Sequence, residues 1–238
     1  MQAVRVIKTA CILLIPLYFF ACAQQVQTLS FNGLVSPSES TSPQKYASNY
    51  FTLQKLWTRH ADVFEHFEGR LFTSATLISP SFEQARTNHH QQKLGLSKSE
   101  KLELLQKRLK QSENGYLFFV TLSSSDMPKL QRPSVQRKVN EVIKGREDEI
   151  KASLIINGHP FSLNKVDQLT FKRAQAMQDD FSYMTPVKTG YWLYFEVPAS
   201  FRAKMLQQKS STGAKHIFQL RFSSLSGTAL LEWQLSFQ

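Results

Sequence analysis

Cysteine is nearly absent from this 238-residue sequence, and its two copies, Cys11 and Cys22, both lie close to the N-terminus. Cys11 falls inside a segment that we expect to be removed, so the mature chain has at most one cysteine and cannot form an intramolecular disulfide. Thiol catalysis and cysteine-based zinc sites are excluded for the same reason. Packing must therefore stabilise the fold without covalent help.

The common catalytic motifs are also missing. Glycine occurs only nine times, and there is no glycine-rich phosphate loop, Gly-x-Ser-x-Gly elbow or His-Glu-x-x-His helix. The segments 42–45 and 162–165 match Ser-x-x-Lys of penicillin-recognising enzymes, and 188–190 matches their Lys-Thr-Gly. Their Ser-Asp-Asn is absent, and Ser162 is predicted to lie in a strand rather than at the start of a helix, so we interpret the matches as coincidence. We predict no catalytic residues, no cofactor and no enzymatic activity.

Metal-binding side chains occur in two short groups, one near a predicted helix end and one as a histidine pair. Adjacent side chains diverge on a helix, and a six-residue separation is not the four-residue spacing of a chelating pair. We therefore predict no metal site at these residues: His60, Asp62, Glu65, His66, His89 and His90.

Long apolar runs are confined to the N-terminus. Arg5 and Lys8 precede an apolar core over 9–20, which contains no acidic residue. This order is typical of an export signal. The core of roughly a dozen residues is short of the ~20 needed to span a bilayer, so we predict a signal peptide over 1–21 and no transmembrane helix.

Two ways of removing this signal remain open. Phe19-Phe20-Ala21-Cys22 resembles the lipobox of bacterial envelope lipoproteins. The resemblance implies that Cys22 carries acyl chains such as palmitate, and that Ala23 directs the protein to the outer membrane, facing the periplasm. Alternatively, Ala21 and Ala23 form an Ala-x-Ala cleavage site that releases a soluble periplasmic or secreted protein beginning at Gln24.

The remainder of the chain is predicted to be a tether followed by one folded domain. Residues 22–45 are rich in serine and proline, which favours an extended, mobile segment. The folded domain spans 46–238, with a helix-rich part over 46–114 and a β-rich part over 115–238.

Several local signals predict individual elements. Apolar residues at helical spacing predict a helix over 46–65, and a β-branched, aromatic run predicts a strand over 68–78. Ser79-Pro80 and the capping box of Ser97 and Glu100 begin two further helices. Asn157-Gly158 is a strong hairpin signal between strands over 150–156 and 161–171.

The most strand-like run is Tyr191–Val197, which we predict to be a central strand. Two later runs, over 216–223 and 228–237, have the same character, and we expect all three to form one small sheet. The fold class is then α+β and mainly β, an antiparallel immunoglobulin-like sandwich in the second half with helices in the N-terminal half.

The charge balance indicates the class of partner. The formal net charge is +11, and it falls to +9 when Arg5 and Lys8 leave with the signal. An exported basic protein is expected to bind anionic lipid, lipopolysaccharide or cell-wall polymer. The export signal and the dispersed positions of the basic residues argue against nucleic acid as a partner. We predict a non-catalytic binding or structural module of the cell envelope, held to the membrane through Cys22, with an anionic envelope polymer or an envelope protein as its partner. A soluble ligand-binding protein and a hydrolase with an unrecognised site are the alternatives.

Overall fold

The computed structural model describes residues 28–31, 43–65, 68–123, 130, 150–207, 215–224 and 227–237. Strands outnumber helices in these ranges, so the fold is mixed α+β with strands dominant. The elements are β1 Thr28–Phe31, α1 Pro43–Trp57, β2 Thr58–Glu65, β3 Glu68–Leu77, α2 Pro80–Leu94, α3 Lys98–Gln111, β4 Gly115–Ser123, β5 Lys151–Ile156, β6 His159–Ser162, β7 Lys165–Gln168, α4 Phe171–Met177, β8 Thr189–Glu196, α5 Ala199–Gln207, β9 His216–Ser224 and β10 Gly227–Phe237.

The strands form two five-stranded sheets. The first sheet has the order β1-β10-β9-β5-β6, and the second has the order β2-β3-β4-β8-β7. Neighbouring strands are antiparallel except β1, which pairs in parallel with β10. Strands from the first half of the chain therefore lie beside strands from the second half.

Aromatic side chains fill the space between the sheets. Phe118 of β4 contacts Trp233 of β10 with ring centroids 5.5 Å apart, and Tyr116 meets Phe218 edge-on at 4.9 Å. The indole of Trp233 also donates a hydrogen bond of 2.8 Å to the carbonyl of Trp57 at the end of α1. The helix-rich and β-rich parts thus share one core, because all of these residues belong to a single buried cluster.

The second sheet is covered on its other face as well. Eight of the nine residues of β4 are buried, which requires packing on both sides of this strand. Phe119 points away from the first sheet and stacks on Phe181, with centroids 4.0 Å apart. Phe181 in turn contacts Phe82 of α2, and Phe82 contacts Tyr50 of α1. The second sheet is therefore the middle layer between the first sheet and the helices.

The local signals in the sequence are confirmed. Ser79 caps α2 by accepting a hydrogen bond of 3.1 Å from the amide of Phe82, and Ser97 and Glu100 form the predicted capping box of α3. Asn157 and Gly158 have φ values of 49° and 84° in the turn between β5 and β6. Both residue types tolerate this left-handed region, as a tight hairpin turn requires.

The helix predicted over 46–65 is wrong in its second half. Helix α1 ends at Trp57, and the chain continues as β2, in which Thr58 pairs with Thr76 of β3. Residues 58–65 carry no strong local preference, so pairing with a strand that is distant in sequence determines their conformation.

The prediction that the last three strands form one small sheet is also wrong. Strand β8 lies between β4 and β7 in the second sheet, whereas β9 and β10 form a hairpin in the first sheet. The strand predicted over 161–171 is divided between β6 and β7, which belong to different sheets, and helix α4 follows them. Strand character is a local property, but the choice of partner is not.

Part of the predicted tether belongs to the fold. Residues Thr28–Phe31 form β1 against 234–237 of β10, and α1 already begins at Pro43. The signal peptide over 1–21, Cys22 and the rest of 22–45 lie outside the described residues. Among the helices of the described ranges, none combines the length and apolar character needed to cross a membrane.

Candidate functional site

An open groove of about 340 Å³ lies on the outer face of the second sheet, beyond the part that the helices cover. Strands β4, β7 and β8 provide its floor, and α3 and α4 provide its rim. Its lining residues combine apolar, aromatic and charged side chains: Gln111, Leu117, Lys165, Asp167, Arg173, Trp192 and Tyr194.

Strand register determines which side chains meet in this groove. Tyr194 of β8 pairs with Leu117 of β4 on one side and with Lys165 of β7 on the other, so these three form a row across the sheet. Two residues along β8, Trp192 pairs with Asp167 in the next row. Because alternate residues face the same side of a strand, both rows point into the groove.

The rim carries an exposed ion pair. Arg173 of α4 binds Asp167 of β7 through two hydrogen bonds of 2.8 and 3.2 Å. The hydrogen bonds and the charge of Asp167 raise the pKa of Arg173. The two side chains remain 52% and 42% exposed, and Lys165 beside them is also exposed. Charged groups therefore stand at the edge of the groove within reach of a ligand.

Trp192 connects this groove to the protein interior. Its ring lies 5.0 Å from Phe119 and 5.9 Å from Phe181, measured between centroids. The guanidinium carbon of Arg86 lies 5.5 Å from the centre of the same ring, a cation–π contact. The floor of the groove is thus held in place by packing from below.

Behind Trp192 lies a buried ion-pair network centred on Arg86 of α2. Its guanidinium donates to Asp180 at 2.8 and 3.1 Å and to Glu83 at 3.2 Å. Arg86, Asp180 and Glu83 are each 5% exposed or less. Burial would lower the pKa of Arg86, but the two carboxylates raise it, so the guanidinium stays charged.

His90 extends the network to α3. Its Nε2 lies 2.5 Å from a carboxylate oxygen of Asp180, and its Nδ1 lies 3.0 Å from the guanidinium of Arg108, a permanent donor. Nδ1 therefore accepts from Arg108, and Nε2–H donates to Asp180. Burial would raise the pKa of Asp180, but the His90 hydrogen bond and the Arg86 charge lower it to about 2.

The backbone carbonyl of Asp180 is hydrogen-bonded as well as its side chain. The hydroxyl of Tyr50 and the amide of Gln54, both on α1, donate hydrogen bonds to its carbonyl oxygen. Burial raises the pKa of the Tyr50 hydroxyl, which is thereby kept as a neutral donor. The network joins α1, α2 and α3 to the segment after α4 through buried hydrogen bonds and ion pairs.

Sequence reasoning missed both the groove and the network. The adjacent residues Asp179 and Asp180 have different environments, since Asp180 is buried in the network and Asp179 is exposed and pairs with Lys93 at 2.5 Å. Glu83 and Arg86 have the i, i+3 spacing of a helical ion pair, which is the one local signal of the network. Glu196, the one acidic residue of the run Tyr191–Val197, is exposed at the end of β8.

The histidines of the sequence have separate partners. His60 contacts the hydroxyl of Ser74 at 2.8 Å, and burial lowers its pKa. His89 stacks on Tyr50 with centroids 4.7 Å apart, while His90 belongs to the ion-pair network. Within the described part of the chain, no three metal-capable side chains come together. His66 and the side chain of Glu65 lie outside that part.

The Ser-x-x-Lys match also separates in the structure. Ser162 is the last residue of β6 in the first sheet, and Lys165 is the first residue of β7 in the second sheet. The serine is therefore not at a helix start, where penicillin-recognising enzymes require it.

Comparison with known proteins adds little to this geometry. No family model matches the chain, and no curated protein matches it. The crystal structure of a novel protein of unknown function from Burkholderia pseudomallei shares 13% identity and a TM-score of 0.38, over 83% of this chain and 91% of that one. A likeness at this score carries no argument about function.

Proposed function

We propose that this chain is an exported, lipid-anchored module of the cell envelope that binds a ligand without transforming it. The observation that supports binding most directly is the open groove on the second sheet, with an aromatic floor of Trp192 and Tyr194 and an exposed ionic rim. Concave sites that combine apolar walls with a few polar groups are the usual form of ligand sites.

The charged groups near the groove support a non-catalytic role. Arg173 and Asp167 neutralise each other at the rim, and Asp180 behind the floor is held ionised by Arg86 and His90. General acid–base catalysis needs a group whose pKa lies close to the working pH. The pairing of these groups instead favours a rigid surface of fixed charge.

The envelope localisation in this proposal rests on the sequence, namely the export signal over 1–21 and the lipobox-like Cys22. Strand β1 adds a geometric consequence, because it begins only six residues after Cys22. Six extended residues span at most about 20 Å. An acylated Cys22 would therefore hold the folded domain close to the membrane surface, rather than at the end of a long tether.

The experiment for this proposal is the intact mass of the protein from membrane and soluble fractions, compared between wild type and Cys22→Ala. We expect a membrane-bound form with the added mass of acyl chains, and its loss in the variant. An unmodified chain beginning at Gln24 in the soluble fraction would contradict anchoring and support the soluble alternative. Cys11 provides the matched control, since Cys11→Ala should leave mass and location unchanged.

We also propose that the two sheets form an immunoglobulin-like sandwich. The aromatic contacts from Phe118 to Trp233 and from Tyr116 to Phe218 support this arrangement, because they join the inner faces of the two sheets. In such a sandwich the strand directions of the two sheets lie within about 30° of each other. An experimental structure with sheets crossing near 90° would contradict it.

A further inference from the structure

We propose that the groove binds a carboxylate-bearing glycan, with a sugar ring against Tyr194 and Trp192 and its carboxylate towards Lys165 and Arg173. This inference rests on the proposed binding function and names its ligand class. The groove offers an aromatic surface and ionic groups in adjoining rows of one sheet, and an acidic sugar offers the matching pair of features.

The mixture of side chains favours a sugar over a lipid chain. Four of the seven lining residues are charged or carry an amide, so a long hydrocarbon chain would lie against polar groups as well as apolar ones. A sugar ring has an apolar face of C–H bonds and a rim of hydroxyls. Its face can pack on Tyr194, while Asp167 accepts and Gln111 accepts or donates hydrogen bonds at its rim.

The charges favour an acidic sugar over a neutral one. Lys165 and Arg173 contribute two positive charges to the groove, against one negative charge from Asp167. Arg173 uses its two terminal nitrogens on Asp167, yet a guanidinium has five N–H donors, so it retains capacity for a ligand carboxylate. The net charge of +9 after signal removal also attracts an anionic ligand at long range.

The shape of the groove fits part of a polymer. Its volume of about 340 Å³ lies at the small end of ligand sites, and the edge strand β7 contributes two of its lining residues. A groove of this kind holds a short stretch of a chain that continues into solvent. Trp192 is fixed from below by Phe119 and Arg86, so little ordering is needed when the ligand binds.

Isothermal titration calorimetry with three defined probes tests the ligand class. The first is a hexamer of galacturonic acid, the second is neutral maltohexaose, and the third is hexaglutamate, which has carboxylates without sugar rings. We expect the acidic hexasaccharide to bind at least about tenfold more tightly than either of the others, since each lacks one of the two recognised features.

Four variants locate the site. Tyr194→Ala and Lys165→Glu are each expected to weaken binding of the acidic hexasaccharide about tenfold or more. Tyr194→Phe keeps the ring and should stay within about threefold of wild type. Lys204→Glu makes the same charge change on the exposed surface of α5, outside the groove, and should change the affinity less than about twofold. Circular dichroism confirms that each variant is folded.

Three results would overturn this inference. They are absence of binding by the acidic hexasaccharide, equal binding of maltohexaose or hexaglutamate, and unchanged affinity in both Tyr194→Ala and Lys165→Glu. The anchoring proposal fails separately. An acylated chain that does not bind the hexasaccharide removes the glycan inference alone, and an unmodified soluble chain that binds it removes the anchor alone.

Discussion

Two arginine–aspartate pairs on the outer side of the second sheet have the same shortest N···O distance but different surroundings. Arg86–Asp180 and Arg173–Asp167 both measure 2.8 Å. The side chains of the first pair are 6% and 5% exposed, and those of the second are 52% and 42% exposed. Distance alone therefore does not distinguish a structural pair from one that a ligand can reach.

The difference in exposure assigns different roles to the two pairs. A buried charge that loses its partner keeps its full desolvation cost, so breaking a buried pair is expensive even where forming it brings little net gain. An exposed pair exchanges one solvated state for another and contributes at most about 1 kcal/mol. Arg86–Asp180 is therefore part of the buried framework, whereas Arg173–Asp167 lies at the exposed rim of the groove that we propose as a binding site.

The largest expected effect is the loss of stability on breaking the buried pair. Asp180→Asn removes the charge that compensates Arg86 and should lower the free energy of unfolding by about 3–5 kcal/mol. Asp167→Asn is the matched control and should cost less than about 1 kcal/mol. Urea unfolding monitored by circular dichroism measures both. Equal losses in the two variants would show that burial does not separate the pairs.

The next effect is a loss of stability in acid that depends on Asp180. Its pKa is about 2 in the folded protein, below the ordinary value of 3.8, so the stabilisation is complete above pH 4 and is lost as the pH falls towards 2. The expected loss is about 2 kcal/mol, at 1.36 kcal/mol for each unit of pKa. Urea unfolding at several pH values between 5 and 2 checks this.

In Asp180→Asn this contribution to the pH dependence should be missing. Asp167→Asn should keep it, because that carboxylate lies in a different, exposed pair. An unchanged acid dependence in Asp180→Asn would contradict the low pKa of the buried carboxylate.

The smallest effect concerns the exposed pair and salt. A double-mutant cycle with Arg173→Gln and Asp167→Asn should give a coupling energy of about 0.2–1 kcal/mol at low salt. At 1 M NaCl the screening length is about 3 Å, and the coupling should approach zero. A coupling energy that persists at high salt would show that the Arg173–Asp167 pair behaves like the buried Arg86–Asp180 pair.

The features that could be predicted from sequence depend on neighbouring residues. Ser79 and Ser97 cap helices through hydrogen bonds that span three residues, and Asn157-Gly158 forms its turn through the backbone preferences of two residues. These signals are complete within a short window, and the structure confirms them.

The features that could not be predicted depend on pairing across the chain. Strand β8 lies beside β4, which is more than 60 residues earlier, and nothing in its own sequence selects that partner over β9. The groove could not be predicted for the same reason, because its lining residues are spread over the sequence from Gln111 to Tyr194. Asp179 and Asp180 are adjacent residues of the same type, and only the tertiary structure determines that Asp180 is buried and Asp179 is exposed.

The groove as a binding site is tested most directly by the three tryptophan indole signals in a ¹⁵N–¹H spectrum. The chain contains only Trp57, Trp192 and Trp233, and of these Trp192 lines the groove while the other two are buried in the core. On addition of the galacturonic acid hexamer, we predict a shift of the Trp192 signal with the Trp57 and Trp233 signals unchanged. No shift at any concentration, or shifts of the two core signals without that of Trp192, would contradict the account.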